Sequence, residues 1–304
     1  MTGPYVVTIS SEKGGVGKTT LATNLAIYLK AIDEELPVTL LSFDNHFSVD
    51  RMFRIGRGRE RATVRDLLAG EPGAGDLVEL GQYGVGFIPS WRNTEGLRGS
   101  VQSVADLALG LAGADLSGVV IVDTRPDLDI LTRNALFAAD RVIVPVKDAP
   151  SLENCRNLYD FFDQQGLSRR PLRILPCLVD SRIHFDGPFK NTQELLRAYA
   201  INRGYRCLDG FISKSPKVES LNTNPEGRIL PVLSYGRNTE VHQQFIHLAS
   251  QVFDDMHKTP RRRIASIIAQ FEAQRENMQK ADEQAAQTLT EEPETDAIPS
   301  QSSP

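Results

Sequence analysis

One glycine-rich stretch near the start of the chain limits the folds that this sequence can form. Residues 13–20 read KGGVGKTT, after an apolar, β-branched run at Tyr5–Ser10 and before the apolar-periodic run Leu21–Leu29. This order predicts a strand, a tight turn and a helix. Glycines allow the backbone to approach a ligand closely, so several amide groups can face one anion. The N-terminus of the following helix adds unpaired N–H groups, and the stretch therefore predicts a phosphate-binding loop.

The end of this loop carries the side chains that bind phosphate and magnesium. In a P-loop that ends Gly17-Lys18-Thr19, the lysine reaches the β- and γ-phosphates and the hydroxyl binds Mg²⁺. The strict pattern has a glycine five residues before Gly17, where this chain has Glu12 followed by Lys13. A lysine before two glycines resembles the deviant Walker A motif of the ParA/MinD superfamily, which the stretch matches at every position. The resemblance implies that ATP and Mg²⁺ are cofactors, with nucleotide-binding residues Lys13, Gly14, Gly15, Val16, Gly17, Lys18, Thr19 and Thr20.

Two further strands are expected to end at this site. The apolar run Val38–Phe43 predicts a buried parallel strand that ends at Asp44. Ligands of open α/β sheets lie at the carboxyl ends of the strands, so Asp44 should face the phosphate loop. The superfamily usually has an Asp-x-Asp motif here, and this chain has Ser42 at the first position. The resemblance implies that Asp44 is catalytic and orients the attacking water or the Mg²⁺ shell, although an ordinary turn aspartate is the alternative.

Val119–Asp123 is another apolar run that ends in an acid, an arrangement in which the carboxylate holds Mg²⁺. We therefore expect the metal to be held by Thr19 and Asp123. The residues that follow resemble a ParA pattern that is independent of the loop, although Arg125 replaces the first proline of its Pro-Pro pair. The matching positions are Asn134, Ala135, Leu136, Ala138, Ala139, Asp140, Pro145 and Val146.

The remaining patterns complete an α/β chain. They predict one P-loop NTPase domain with a mainly parallel central sheet flanked by helices on both faces. The segment Ile212–Glu219 loosely resembles the ParA segment that contributes to the adenine side of the site. The expected helices are Ala62–Ala69, Glu95–Ala112, Leu152–Phe162, Leu195–Ile201 and Asn238–Met256, and the expected strands are Gly84–Pro89 and Leu172–Val179.

Composition excludes several classes of protein. A chain of 304 residues with 40% hydrophobic residues can bury a substantial core. The three cysteines, Cys155, Cys177 and Cys207, are far apart and form no CxxC pair, so neither a disulfide framework nor a Cys-rich metal site is expected. The sequence has neither an apolar run long enough to span a membrane nor a secretory signal, so we expect a cytoplasmic protein.

The charge is unevenly distributed along the chain. Residues 279–304 contain six acidic residues and one basic residue, and their net charge of −5 equals that of the whole chain. Residues 1–278 are therefore neutral overall. Any nucleic-acid surface must come from local basic patches.

An arginine-rich stretch follows the second strand. Six arginines lie between Arg51 and Arg65, interrupted by Gly56 and Gly58. The stretch is consistent with a patch that binds a partner or an anion, and equally with a solvated loop next to the site.

The chain ends in two segments that differ from the rest. Residues 1–258 form the expected ATPase domain, and Thr259-Pro260 has the pattern of a helix start. Ile264, Ile267, Ile268 and Phe271 give one apolar stripe, so residues 259–280 are expected to form a short amphipathic helix. This stripe could contact a membrane, the domain or a partner. Residues 281–304 have the composition of an acidic disordered tail.

The resemblance implies a partition or positioning ATPase of the Soj-like ParA branch. ATP binding would form a sandwich homodimer on a cellular surface, and slow, partner-stimulated hydrolysis to ADP and phosphate would release it. Lys13 would be catalytic, because in this family the lysine crosses the dimer interface to the partner's phosphates. The sequence does not identify the cargo.

The cellular surface is expected to be nucleoid DNA. DNA-facing basic residues of the ParA branch come from a helix and a loop that resemble those with Arg197, Lys214 and Lys217 here. Such patches would give weak, salt-sensitive binding that dimerisation increases. A protein activator or cargo adaptor is also expected as a partner, and a MinD-like membrane association remains an alternative.

Three other functions on the same fold remain to be considered. An iron–sulfur relative would need paired cysteines, which this chain lacks. Of the phosphotransferase relatives, the tyrosine kinases have a tyrosine-rich tail, and no tyrosine follows Tyr235 here. A nucleotide-switched scaffold with little hydrolysis remains open, because Ser42 and Arg125 depart from the family pattern near the metal site.

Overall fold

The computed structural model describes residues 3–44, 48–56, 62–70, 77–221, 229–259, 263–270 and 273. Within these residues, strands of one sheet alternate with helices. The strands are Tyr5–Ile9 (β1), Val38–Ser42 (β2), Glu79–Leu80 (β3), Gly86–Phe87 (β4), Val119–Asp123 (β5), Arg141–Val146 (β6), Leu172–Val179 (β7) and Ile212–Ser213 (β8).

The helices of the same residues cover both faces of the sheet. They are Lys18–Ile32 (α1), Ser48–Phe53 (α2), Val64–Ala69 (α3), Thr94–Ser100 (α4), Asp106–Gly113 (α5), Ile130–Ala138 (α6), Ala149–Gln164 (α7), Thr192–Asn202 (α8), Pro216–Leu221 (α9), Val232–Tyr235 (α10) and Glu240–Lys258 (α11). A 3₁₀ turn lies at Gln82–Gly84, and residues 263–270 are also helical.

The sheet order is β3-β4-β2-β5-β1-β6-β7-β8, and every pair is parallel except β3 with β4 at one edge. The predicted fold class is confirmed. The register aligns the ends of the central strands, because Asp123 pairs with Ile9 on one side and with Ser42 on the other. The carboxyl ends of β1, β2 and β5 therefore meet at one edge of the sheet.

Successive side chains of a strand point to opposite faces, and β1 is buried on both. Val7 and Ile9 belong to a core that includes Leu25 of α1 and Phe245 of α11. Val6 belongs to the opposite core, together with residues of α3, α5 and α6. Burial on both faces explains why the central strands are continuous apolar runs.

The predicted helix Glu95–Ala112 is wrong, because the structure divides it into α4 and α5. The carboxylate of Asp106 accepts hydrogen bonds from the backbone N–H groups of Gln102 (2.8 Å) and Ser103 (3.0 Å). In a continuous helix, these N–H groups would donate to backbone carbonyls of the preceding turn. The Asp106 side chain takes the place of those carbonyls, so the chain turns between the two helices. Helix α2, which contains the first arginine of the arginine-rich stretch, was not predicted.

The arginine-rich stretch is ordered where the structure describes it. Arg51 lies in α2 and Arg65 in α3. Arg54 forms ion pairs with Asp50 (3.1 Å) and Glu79 (3.4 Å). These three arginines are therefore not part of a solvated loop, and Arg57, Arg59 and Arg61 lie outside the described residues.

The C-terminal helical segment 263–270 packs on the domain. Ile264 is fully buried in the core on the α6 side of the sheet, where Ile267 and Ile268 also pack. The backbone N–H of Arg263 donates to Asp140 (2.6 Å), and its guanidinium lies 5.3 Å from the centroid of the Phe137 ring. The apolar stripe thus contacts the domain, while Phe271 lies outside the described residues. None of the helices in the described ranges has the length and apolar character needed to cross a bilayer.

Candidate nucleotide-binding site

The glycine-rich loop connects the carboxyl end of β1 to the start of α1. Gly15 (φ 67°) and Gly17 (φ 88°) adopt left-handed backbone conformations that are unfavourable for other residues. Gly17 is the N-cap of α1, and no side chain caps that helix end. The first N–H groups of α1 therefore remain directed at the loop, as anion binding requires.

The Lys18 side chain folds back over the loop. Its Nζ donates to the carbonyl oxygens of Ser11 (3.1 Å) and Lys13 (3.2 Å), and the residue is only 8% exposed. Burial lowers the pKa of Lys18, and the charges of Asp123 and Asp44 oppose this shift. The ammonium group is thus held inside the loop, close to two carboxylates.

Asp123 has the features of a magnesium ligand. Its Oδ2 accepts hydrogen bonds from the hydroxyls of Thr19 (2.8 Å) and Ser42 (3.1 Å). Its Oδ1 is buried and has no hydrogen-bond partner among the described residues. Burial raises the pKa of Asp123 to about 7, although the hydrogen bonds from Thr19 and Ser42 oppose this shift. A buried carboxylate with one free oxygen beside a threonine hydroxyl fits the oxygen ligands that Mg²⁺ prefers.

Ser42 links the two acids at this edge. Its hydroxyl donates to Asp123 and accepts a hydrogen bond from the backbone N–H of Asp44 (3.1 Å). The serine that replaces the first acid of the family motif therefore positions the carboxylate of the neighbouring strand. Asp44 lies at the carboxyl end of β2 as expected, and its catalytic role stays a prediction.

Lys13 forms an ion pair within its own chain. Its Nζ lies 2.6 Å from Oδ2 of Asp148, the N-cap of α7. Burial alone would raise the pKa of Asp148, but hydrogen bonds from Lys13 and Ser151 lower it. Lys147 lies next to this pair and donates to the carbonyl of Gly15 (3.3 Å). Sequence reasoning assigned no role to Lys147 or Asp148, although both follow the matched Pro145-Val146 at a strand end.

A small apolar cavity of about 70 Å³ lies beside the loop. It contacts Gly17 and Thr20 and is bordered by the Ile212–Glu219 segment that the sequence assigned to the adenine side. Leu178, which also lines it, has a φ of 55° at an irregularity of the β7–β8 register. Such backbone strain in a residue other than glycine often accompanies ligand sites.

Other residues singled out in the sequence lie around this centre. Arg125, the departure after Asp123, forms an ion pair with Asp127 (3.6 Å). Arg197 in α8 forms an ion pair with Asp209 (3.3 Å). Lys214 and Lys217 are exposed, just after β8 and in α9. Cys155 and Cys177 are buried in the core and Cys207 is half-buried; the three form no disulfide.

A phosphate loop between β1 and α1, with a carboxylate at the end of the adjacent parallel strand, defines a P-loop NTPase. A family model described as an AAA domain matches residues 5–168. The chain belongs to this family and, within it, to the ParA-like branch of the ParA/MinD superfamily. The resemblance proposed from the sequence is confirmed.

Similar sequences and one similar structure support the assignment to the ParA-like branch. The chromosome-partitioning ATPase Soj of Treponema pallidum is 31% identical over 80% of this chain and 94% of its own. The chromosome partitioning protein ParA of Caulobacter vibrioides is 27% identical over 81% and 93%. The septum site-determining protein MinD of Pyrococcus horikoshii, solved with Mg-ADP, has a similar fold, with a TM-score of 0.61 at 19% identity over 82% of this chain and 96% of that one.

Proposed function

We propose that this protein is a partition or positioning ATPase that binds Mg-ATP at the P-loop and works as an ATP-dependent homodimer. The observation that carries the proposal is the joint placement of Lys18, Thr19 and Asp123 at one sheet edge, with Lys13 at the mouth of the same loop. Membership in a branch whose named relatives are chromosome partition proteins supports it. We place the protein in the cytoplasm, associated with the nucleoid.

Each residue of the loop has a defined task in this proposal. The amides of Gly14–Thr20 and the ammonium of Lys18 bind the phosphates, while Thr19 and Asp123 hold the metal. Bound Mg²⁺ would neutralise charge on the phosphate oxygens. Val16, Leu21 and Phe245 of the apolar cavity border the space for the base. Asp44, at the end of the adjacent strand, orients the attacking water.

The ion pair with Asp148 holds the Lys13 side chain within its own subunit before the homodimer forms. Both side chains are partly exposed, with 28% and 38% accessibility. Exposed pairs contribute only about 0–1 kcal/mol, so a partner's phosphate can replace Asp148 at small cost. A charge-assisted bond to phosphate is stronger, at about 1.5–3 kcal/mol, and favours the exchange. The site is complete only in the dimer.

Replacing Asp44 by alanine is expected to slow ATP hydrolysis by about 100-fold, within the range of general acid–base effects, while ATP binding persists. The ATP-bound dimer should therefore accumulate. Single-turnover phosphate release and sedimentation velocity with ATP measure the two effects. Asp33→Ala serves as the matched control, because it removes an acidic side chain at the end of α1 that is distant from the loop. Wild-type hydrolysis by Asp44→Ala would show that Asp44 is an ordinary turn residue.

DNA is the surface that we propose for the dimer. Lys214 and Lys217 are exposed, and Arg197, though paired with Asp209, lies at the surface of α8. The membrane alternative is less favoured, because Ile264 of the C-terminal stripe is buried in the domain core.

The double variant Lys214→Ala/Lys217→Ala is expected to weaken DNA binding by the ATP-bound protein and to reduce the salt dependence. Loss of two phosphate contacts lowers the slope of log K against log salt by about 1.8. Titrations of duplex DNA at several salt concentrations measure this slope. Arg156→Ala, which removes an exposed arginine of α7, is the control. DNA binding with an unchanged slope would exclude these two lysines from the interface.

Steady-state phosphate release tests the proposal as a whole. DNA, phospholipid vesicles and a candidate adaptor protein should be added singly, and stimulation by DNA or adaptor is the expected result. Stimulation by vesicles alone would favour the membrane alternative. ATP binding with no hydrolysis under any of these conditions would favour a nucleotide-switched scaffold, in which Ser42 and Arg125 account for the lost activity.

A further inference from the structure

A cleft of about 540 Å³ lies at the amino ends of β6 and β7, at the end of the sheet opposite the phosphate loop. Thr259, which caps the end of α11, and Arg263 and Ser266 of the segment 263–270 form one of its walls. Among the described residues, its charged lining consists of one carboxylate, Asp140, and five arginines: Arg141, Arg170, Arg173, Arg206 and Arg263. We call this the arginine cleft.

The sheet register brings these arginines together. Arg141 is the first residue of β6 and Arg173 the second residue of β7, and Ile143 pairs with Arg173 across the two strands. The carbonyl of Arg206 accepts the backbone N–H of Ile174 (2.8 Å), which places this arginine beside the start of β7. Parallel strands begin at the same edge, so residues far apart in sequence share one cleft.

Most of this positive charge is not compensated by the residues that the structure describes. Arg141 is paired, since its Nε donates to Asp255 (3.0 Å). Asp140 accepts hydrogen bonds from the backbone N–H groups of Val6 (2.9 Å) and Arg263 (2.6 Å). Within the described part of the chain, the guanidinium groups of the other four arginines have no carboxylate at ion-pair distance; these are Arg170, Arg173, Arg206 and Arg263.

The arginines of the cleft repel one another. Burial, together with the charges of Arg141 and Arg206, lowers the pKa of Arg173 to about 10, while Asp255 opposes the shift. Among the described residues, the Arg173 guanidinium donates to the carbonyls of Leu172 (2.9 Å) and Arg170. Residues 1–278 are neutral overall, so this local excess does not reflect a generally basic protein. Such a cluster is stabilised when an anion enters it.

We propose that the arginine cleft binds a compact phosphorylated anion at a second site, separate from the P-loop. The planar guanidinium group matches a phosphate with two parallel hydrogen bonds, which favours phosphate over halide or a single carboxylate. The volume lies within the range of about 300–1,000 Å³ that is typical of small-molecule pockets. A concave site of this size fits a small ligand better than the backbone of a DNA duplex. Because Thr259, Arg263 and Ser266 line the cleft, an occupant also bridges the C-terminal segment to the sheet.

Calorimetric titration with tripolyphosphate tests the proposal in the full-length Lys18→Ala variant, in which the P-loop lysine is absent. We expect saturable binding that weakens about tenfold or more on adding Arg206→Ala, as the loss of a charge-assisted bond implies. Arg173→Ala should have the same effect. Arg156→Ala removes an exposed arginine outside the cleft and should change affinity less than twofold. Arg206 is exposed, so its replacement should leave the thermal melt unchanged.

The outcomes separate the possible ligands. No tripolyphosphate binding, or binding that Arg206→Ala and Arg173→Ala leave unchanged, overturns the proposal. A parallel titration with duplex DNA covers the other phosphate source; here Arg206→Ala and Arg173→Ala are made in the protein that retains Lys18, and Mg-ATP is present. Loss of DNA binding in both variants without any tripolyphosphate binding would assign the cleft to the nucleic-acid surface and refute the small-ligand site. Because Lys18 is absent from the tripolyphosphate titrations, their results do not depend on the proposed ATPase function.

Discussion

Replacing Lys18 by alanine is expected to weaken ATP binding by at least about 100-fold. The ammonium lies inside the loop, 3.1 Å from the Ser11 carbonyl and 3.2 Å from the Lys13 carbonyl, where it can turn to the phosphates. Two charge-assisted hydrogen bonds of about 1.5–3 kcal/mol each correspond to a loss of roughly 10²–10⁴ in affinity. Isothermal titration calorimetry with Mg-ATP measures the change directly.

Lys30→Ala is the matched control for this variant. Lys30 lies in the last turn of the same helix, α1, so its removal changes the charge of the helix but not the phosphate loop. We expect near wild-type ATP affinity for it. If Lys18→Ala also retained wild-type affinity with an unchanged melting temperature, the loop would not be the nucleotide site.

The part of the site that the sequence predicted is encoded in short, continuous stretches. The glycines, Lys18 and Thr19 lie within one loop, and Asp123 ends one apolar strand. The positions of Asp44 and Asp123 follow from the rule that parallel strands end at one edge, and the register pairs Asp123 with Ser42, two residues before Asp44. The hydrogen bond from Ser42 to Asp123 could not be predicted, because a serine at this position appeared only as a departure from a pattern.

Other features depend on contacts between distant segments. Lys13 and Asp148 are 135 residues apart, and neither residue alone signals the ion pair. The arginine cleft combines residues from β6, β7, the chain after α8, and the C-terminal segment. Hydrophobic periodicity does not predict such convergence. It indicates which face of a helix or strand is buried, but not which elements lie next to each other in the fold.

The helix break between α4 and α5 shows a different limit. Residues 101–105 carry no proline or glycine, and the apolar pattern continues across them. Two side chains cause the break. The carboxylate of Asp106 accepts hydrogen bonds from the backbone N–H groups of Gln102 and Ser103. Oδ1 of Asn134 accepts a hydrogen bond from the backbone N–H of Leu107 (2.9 Å). A tertiary contact thus overrides local helix propensity.

Replacing Lys13 by alanine is expected to abolish the ATP-dependent homodimer while the single chain still binds ATP. Lys18 and the loop amides, which hold the phosphates within one chain, remain intact. If Lys13 acts on the partner's phosphates as an arginine finger does, turnover should fall by about 10³-fold or more. Sedimentation velocity with a slowly hydrolysed ATP analogue measures dimerisation, and calorimetry measures the remaining affinity.

Asp148→Asn distinguishes this role of Lys13 from a merely structural ion pair. Asparagine can still cap α7, so the helix start is preserved, while the charge partner of Lys13 is lost. If Asp148 competes with the partner's phosphates for Lys13, Asp148→Asn should dimerise at an ATP concentration equal to or lower than that of the wild type. Lys13→Ala should instead fail to dimerise. If the pair only stabilises the loop, both variants should weaken dimerisation alike. A Lys13→Ala variant that dimerises and turns over normally would exclude Lys13 from the partner's site and remove the main support for a shared active site.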